Sequence, residues 1–127
     1  MKNHLIHYLI IKVALLNVVI VFSSCDKKET CPLVTTKPAS LITQSAATLN
    51  GTINFYGQKA TVIFECGITT SYGQTMFPTN LNYGIIPEEF HFPLTGLFSG
   101  TTYHYRIKVE GKCGTTNGND LSFTTLN

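Results

Sequence analysis

The chain has 127 residues, 43% hydrophobic and 13% charged, with no tryptophan and a formal net charge of +2. That length fits a single domain behind a short leader. So small a charge excess gives no electrostatic basis for a nucleic-acid-binding protein.

Residues 1–24 read as a secretory signal. Lys2 and Lys12 supply the positive charge, Val13 to Phe22 is apolar but for Asn17, and Ser23 and Ser24 are small residues ahead of Cys25. Phe22-Ser23-Ser24-Cys25 resembles a bacterial lipoprotein signal, with Phe22 where leucine is usual. The resemblance implies cleavage before Cys25 and a diacylglycerol on its thiol, so that the membrane is reached by lipid. At about 0.8 kcal/mol per buried methylene, two or more acyl chains anchor stably. One rival is an uncleaved spanning helix. Leu5 to Phe22 is 18 residues, interrupted by Lys12 and Asn17, where a span takes about 20 mostly apolar ones. An ordinary cleaved signal is the other rival. Cys25-Asp26-Lys27-Lys28-Glu29 resembles the charged tails of Bacteroidetes surface lipoproteins, which implies a cell-envelope location at the outer membrane. Loss of Lys2 and Lys12 takes nine basic residues to seven, level with the seven acidic ones.

Residues 25–32 are a lipidated tether, and the seven residues after Cys25 reach at most about 25 Å. From Leu33 to Asn127 short strands recur between turn signals. Leu33-Val34-Thr35-Thr36 is a first strand, made an edge by Pro38. In Ser45 to Asn54, Ala47, Leu49, Gly51 and Ile53 share one face. In Ala60 to Ile68, Val62, Phe64 and Cys66 point inward against Thr61, Ile63 and Glu65. Tyr72 to Phe77 is a short edge strand, and residues 78–87 are loop. Phe90, Phe92 and Leu94 alternate with His91 and Pro93. Tyr103, Tyr105, Ile107 and Val109 alternate with His104, Arg106, Lys108 and Glu110. Gly111 to Asn119 is a turn cluster, and Leu121 to Thr125 the last strand. About seven strands make an all-β two-sheet sandwich, with the inward sets as its core.

The run Leu94-Thr95-Gly96-Leu97-Phe98-Ser99-Gly100-Thr101-Thr102-Tyr103-His104-Tyr105-Arg106 resembles the E–F corner and F strand of fibronectin type III domains. Ala47-Thr48-Leu49-Asn50-Gly51, Phe64-Glu65-Cys66-Gly67 with Thr70-Ser71-Tyr72-Gly73, and Ser122-Phe123-Thr124-Thr125 resemble its B, C and G strands. The resemblance spans residues 33–127 and implies an immunoglobulin-like sandwich in which Tyr103 forms the tyrosine corner. Leu49 stands where many members have a core tryptophan, and Cys66 where bacterial relatives often have tyrosine. In this fold the start of the first strand and the F–G loop share a pole. A disulfide between Cys31 and Cys113 is therefore expected, with three free thiols, Cys66 included, as the alternative.

No constellation for catalysis is legible. His91 and His104 fall on outward faces of different sheets and cannot share a metal, so no metal site and no cofactor are expected. Glu88 and Glu89 are adjacent loop residues that point apart. Glu65 faces Arg106 as a cross-strand ion pair, and Cys66 reads as a buried small hydrophobe. The expectation is a non-enzymatic envelope lipoprotein that binds or scaffolds an envelope protein. Its binding residues would lie in the B–C loop (Phe55, Tyr56, Gln58) and the F–G loop (Lys112, Thr115, Asn117), with the outward row of strands C and F second. The alternatives are a glycan-binding accessory, whose exposed tyrosines (Tyr56, Tyr72, Tyr83) would line a groove, and an assembly subunit that exchanges an edge strand.

Overall fold

The computed structural model describes residues 30–77 and 84–127. Residues 1–24, expected from sequence to be a signal, Cys25 with its charged tail, and residues 78–83, Tyr83 among them, lie outside the described residues.

Among the described residues eight strands follow one another: β1 (Leu33–Ser40), β2 (Ala46–Asn54), β3 (Ala60–Gly67), β4 (Gln74–Met76), β5 (Glu88–Thr95), β6 (Thr102–Gly111), β7 (Gly114–Asn117) and β8 (Leu121–Thr124). They form two antiparallel sheets. One has the order β1-β2-β5; the other runs β4-β3-β6-β7, with β8 also paired to β6. The described residues are thus all-β, in two sheets that enclose one core. No described helix is long and apolar enough to cross a membrane.

Period-two alternation explains most of this. β2 buries Ala47, Leu49, Gly51 and Ile53, and β6 buries Tyr103, Tyr105, Ile107 and Val109. These rows meet Val62, Phe64 and Cys66 of β3 and Phe90 and Leu94 of β5. Aromatic rings fill the core: Phe64 of β3 meets Phe92 of β5 across the two sheets at 6.4 Å, while Phe55 meets Phe90 at 6.0 Å in a T-shape within one sheet and Tyr103 stacks on Phe123 at 5.6 Å within the other. Gly51 sits where the sheets come nearest, since a Cβ there would lie 2.7 Å from Ile107 Cδ1. Pro38 is accommodated because β1 is an edge and its register with β2 shifts between Lys37 and Ser40.

Several expectations are corrected. The segment Gly111 to Asn119 is not only a turn cluster: Lys112 and Cys113 turn the chain, Gly114 takes φ +84°, and β7 pairs back onto Lys108 to Gly111. Glu88 and Glu89 begin β5 and do not belong to a loop. Ile63 is buried although it points to the outer side of β3; it lies directly opposite Lys108, whose stem is held on that face by its ion pairs. Phe55, placed in a binding loop by sequence, is fully buried.

Candidate functional site

Strand ends define two poles. Leu33 pairs with Asn54, and Glu88 with Ile53, so β1 begins and β2 ends beside the start of β5. In the other sheet Ala60 pairs with Gly111, and Gly111 with Gly114. A disulfide joins Cys31 to Cys113, with Cα atoms 5.8 Å apart, and ties these ends into one pole. Gln58 Nε2 donates to the Thr30 carbonyl at 2.8 Å and fastens the entering chain there. Gln58 Oε1 lies 3.6 Å from Cys113 Sγ, a contact only, because a disulfide sulfur carries no proton. This entry pole holds three of the sequence-derived binding residues: Tyr56, exposed at φ +50°, Gln58, committed to structure, and Lys112 at the hairpin tip. Thr115 and Asn117 are exposed on β7.

The far pole gathers the β1–β2 connection, the β3–β4 turn, the β5–β6 corner and the last residues. Leu97 N–H donates to the Ser45 carbonyl at 3.0 Å, Leu126 N–H to Thr43 at 3.0 Å, and Thr125 Oγ1 to the Phe98 carbonyl at 2.6 Å. The Tyr103 hydroxyl accepts from the Phe98 N–H at 3.0 Å and holds the β5–β6 corner in place. The β3–β4 turn is fixed by crowding. A Cβ on Gly67 would overlap the Tyr72 carbonyl, and Tyr72 itself takes φ +60°. Between turn and corner lies a hollow of about 300 Å³, lined by Ile68, Tyr72, Gln74, Leu97, Phe98 and Tyr103. Leu41, Ile68, Phe98 and Leu126 stand around this pole, each between 57% and 79% exposed. Sequence reading missed this cluster. Its signal was there, as large apolar residues placed inside turn segments: Ile68 before Thr69-Thr70, and Phe98 before Ser99-Gly100.

The outer face of the larger sheet carries the charges. Glu65 accepts from Arg106 Nε at 2.7 Å and Lys108 Nζ at 2.9 Å, and Lys108 also reaches Glu110 at 3.1 Å. Arg106 lies over the Tyr72 ring at 4.8 Å. The Tyr72 hydroxyl donates to one oxygen of Asp120 at 2.9 Å, and His104 Nδ1 sits 2.9 Å from the other. Burial would raise the Glu65 carboxyl, but the bonds from Lys108 and Arg106 outweigh it and hold Glu65 below the usual carboxylate range. The bond to Glu65 raises Lys108 in turn. Burial, then Asp120, pushes the Tyr72 hydroxyl up to about 12, and burial pushes the Cys66 thiol up to about 11. Tyr72 and Cys66 are therefore protonated at neutral pH. On this face the charged side chains are paired with one another.

His91 is on the other sheet, with Nδ1 2.7 Å from Asn50 Oδ1, so the two histidines are on different sheets. Tyr56 and Tyr72 belong to opposite poles and line no common groove. Among the described residues no three His, Cys, Asp or Glu side chains gather as a metal site.

Comparison with protein-family models found no match, and comparison with curated proteins found none. Solved structures do match. The chain is similar to the sensor domain of the anti-sigma factor RsgI4 of Pseudobacteroides cellulosolvens. For its short form the TM-score is 0.59 at 19% identity, over 77% of this chain and 97% of that one. Its solution structure gives 0.56 at 20% identity, over 74% of each. The long form gives 0.52 at 19% identity, over 75% and 89%. At such identities the likeness is one of fold.

Proposed function

We propose that this chain is a lipid-anchored, fibronectin type III-like domain of the cell envelope that acts without catalysis, offering its far pole to an envelope protein. The observation that carries the reading is the hollow at the end away from Cys31, lined by the exposed Ile68 and Phe98, with the exposed Leu41 and Leu126 at the same pole. Several large apolar side chains exposed at one pole favour a protein partner. The fibronectin reading is supported by the sheet pairing, β1-β2-β5 against β4-β3-β6-β7 and β8, and by the Tyr103 corner bond. The domain boundaries follow the sequence: residues 1–24 are the signal, 25–32 the lipidated tether, and 33–127 the domain. Lipid on Cys25 would hold the chain at the outer membrane, with the entry pole inward and the far pole outward. The B–C and F–G loops, favoured by sequence as binding loops, would then face the membrane.

The test is a pull-down from cross-linked envelopes, comparing the intact chain with Cys25→Ala and with Ile68→Asp/Phe98→Asp. One envelope protein recovered with the intact chain and lost in both variants is the expected result. Recovery unchanged by Ile68→Asp/Phe98→Asp would refute the far-pole assignment. Recovery of no protein at all would move the reading to glycan binding, to be followed on a glycan array.

A further inference from the structure

The entry pole carries its own exposed apolar rim. Leu33, Tyr56, Ile85 and Ile86 are between 44% and 80% exposed. They come from three segments that the fold brings together. Leu33 pairs with Asn54, two residues before Tyr56. The Gly57 N–H donates to the Gly84 carbonyl at 2.8 Å, and a Cβ on Gly57 would sit 3.6 Å from Ile85 Cγ2. Neighbouring exposed isoleucines at the tip of a sandwich leave apolar surface whose burial against an apolar layer is favourable.

What covers them follows from where the chain enters. Thr30 is bound by Gln58, and Cys31 is bonded to Cys113, so no slack remains after residue 30. From Cys25 to Thr30 is five residue steps, at most about 18 Å of extended chain. A domain on so short a leash keeps this pole against the headgroup layer. We infer that the rim of Leu33, Tyr56, Ile85 and Ile86 seats on the lipid surface, so that the domain stands on the membrane in one orientation with its far pole outward. The inference rests on lipidation of Cys25 and adds to it a second, non-covalent contact. Tyrosine at such a rim suits the interface, with its ring in the apolar layer and its hydroxyl in the headgroups. The rim consists of three aliphatic side chains and one aromatic ring, so the contact is apolar and insensitive to salt.

The chain contains no tryptophan, so one substitution makes a single reporter. Full-length lipidated protein carrying Ile86→Trp or, as control, Phe98→Trp is reconstituted into phosphatidylethanolamine–phosphatidylglycerol vesicles with brominated acyl chains. Flotation reports anchoring, and bromine quenching reports depth. The expected result is that both proteins float, that Ile86→Trp emission is quenched and blue-shifted, that Phe98→Trp is unaffected, and that raised salt changes neither. Floating protein with Ile86→Trp unquenched overturns the inference and leaves the anchor standing. Equal quenching at both positions overturns the orientation. Protein that does not float overturns the anchor and the inference together. With Tyr56→Trp as reporter, adding Ile85→Asp/Ile86→Asp abolishes quenching while flotation persists; quenching retained there refutes the role of the isoleucines.

Discussion

Replacing both members of the Cys31–Cys113 bridge by serine tests how the fold is closed. The bridge spans 82 residues of sequence, from ahead of β1 to the β6–β7 turn, and so encloses nearly all of the domain. Chain-entropy arithmetic for a loop of that length gives about 4.5 kcal/mol of stabilisation, through the freedom denied to the unfolded chain. That is a large share of the roughly 5–15 kcal/mol that holds a native domain together. Some of it is local, because release of Cys31 leaves the start of β1, an edge strand, held by β2 and by the Gln58 bond to Thr30. The assay is urea unfolding of a form beginning at Asp26, oxidised, reduced, and as Cys31→Ser/Cys113→Ser. With a slope of about 1–3 kcal/mol per molar urea, the midpoint falls by about 2 M in the reduced protein and in the double variant. Reduced and oxidised protein with the same midpoint would refute the reasoning. So would a variant that matches the oxidised form.

Other perturbations follow from the same geometry. Glu65→Ala leaves Arg106 and Lys108 on a face where the Glu65 side chain is only 14% exposed, and costs about 1–3 kcal/mol, between the exposed and buried limits. Because the folded-state Glu65 carboxyl is held below its unfolded value of about 4.3, its contribution is full above that pH and is lost as pH falls through the folded value. Unfolding curves from neutral pH down to acid should therefore lose less stability in Glu65→Gln than in the parent. Tyr103→Phe leaves the Phe98 N–H without its acceptor and costs about 1 kcal/mol by urea midpoint, with no change in fold by circular dichroism. Gly51→Ala drives a methyl into Ile107 and costs about 1–3 kcal/mol. Cys66, buried and with its thiol raised to about 11, should resist iodoacetamide at pH 8 until the domain unfolds; labelling at the rate of a free thiol would contradict its core position.

Strands with one buried face were legible in the sequence, because a period of two writes that face into the residues. β2 and β6 show it plainly, down to Gly51 standing among the buried row. The Glu65–Arg106 pair was legible for the same reason, since both residues lie on the polar side of neighbouring strands. Ile63 broke the pattern because burial on the outer side of β3 depends on a long cross-strand lysine stem, which alternation does not encode. β7 was hidden because Gly114-Thr115-Thr116-Asn117 has turn-like composition and becomes a strand only by pairing with β6. The candidate site was less legible still. A loop residue such as Phe55 reads as exposed until the fold turns it onto Phe90. The far-pole residues Leu41, Ile68 and Phe98 come from three separate connections and Leu126 from the residues after β8, and sequence spacing brings none of them together.

The central claim, a domain presenting its far pole to an envelope protein, is tested most directly by photo-crosslinking in intact cells. A photoreactive side chain is placed at Phe98 or at Tyr56 of the full-length chain. The account predicts one discrete protein adduct from position 98 and none from position 56. Adducts from position 56 alone, or from neither, would contradict it.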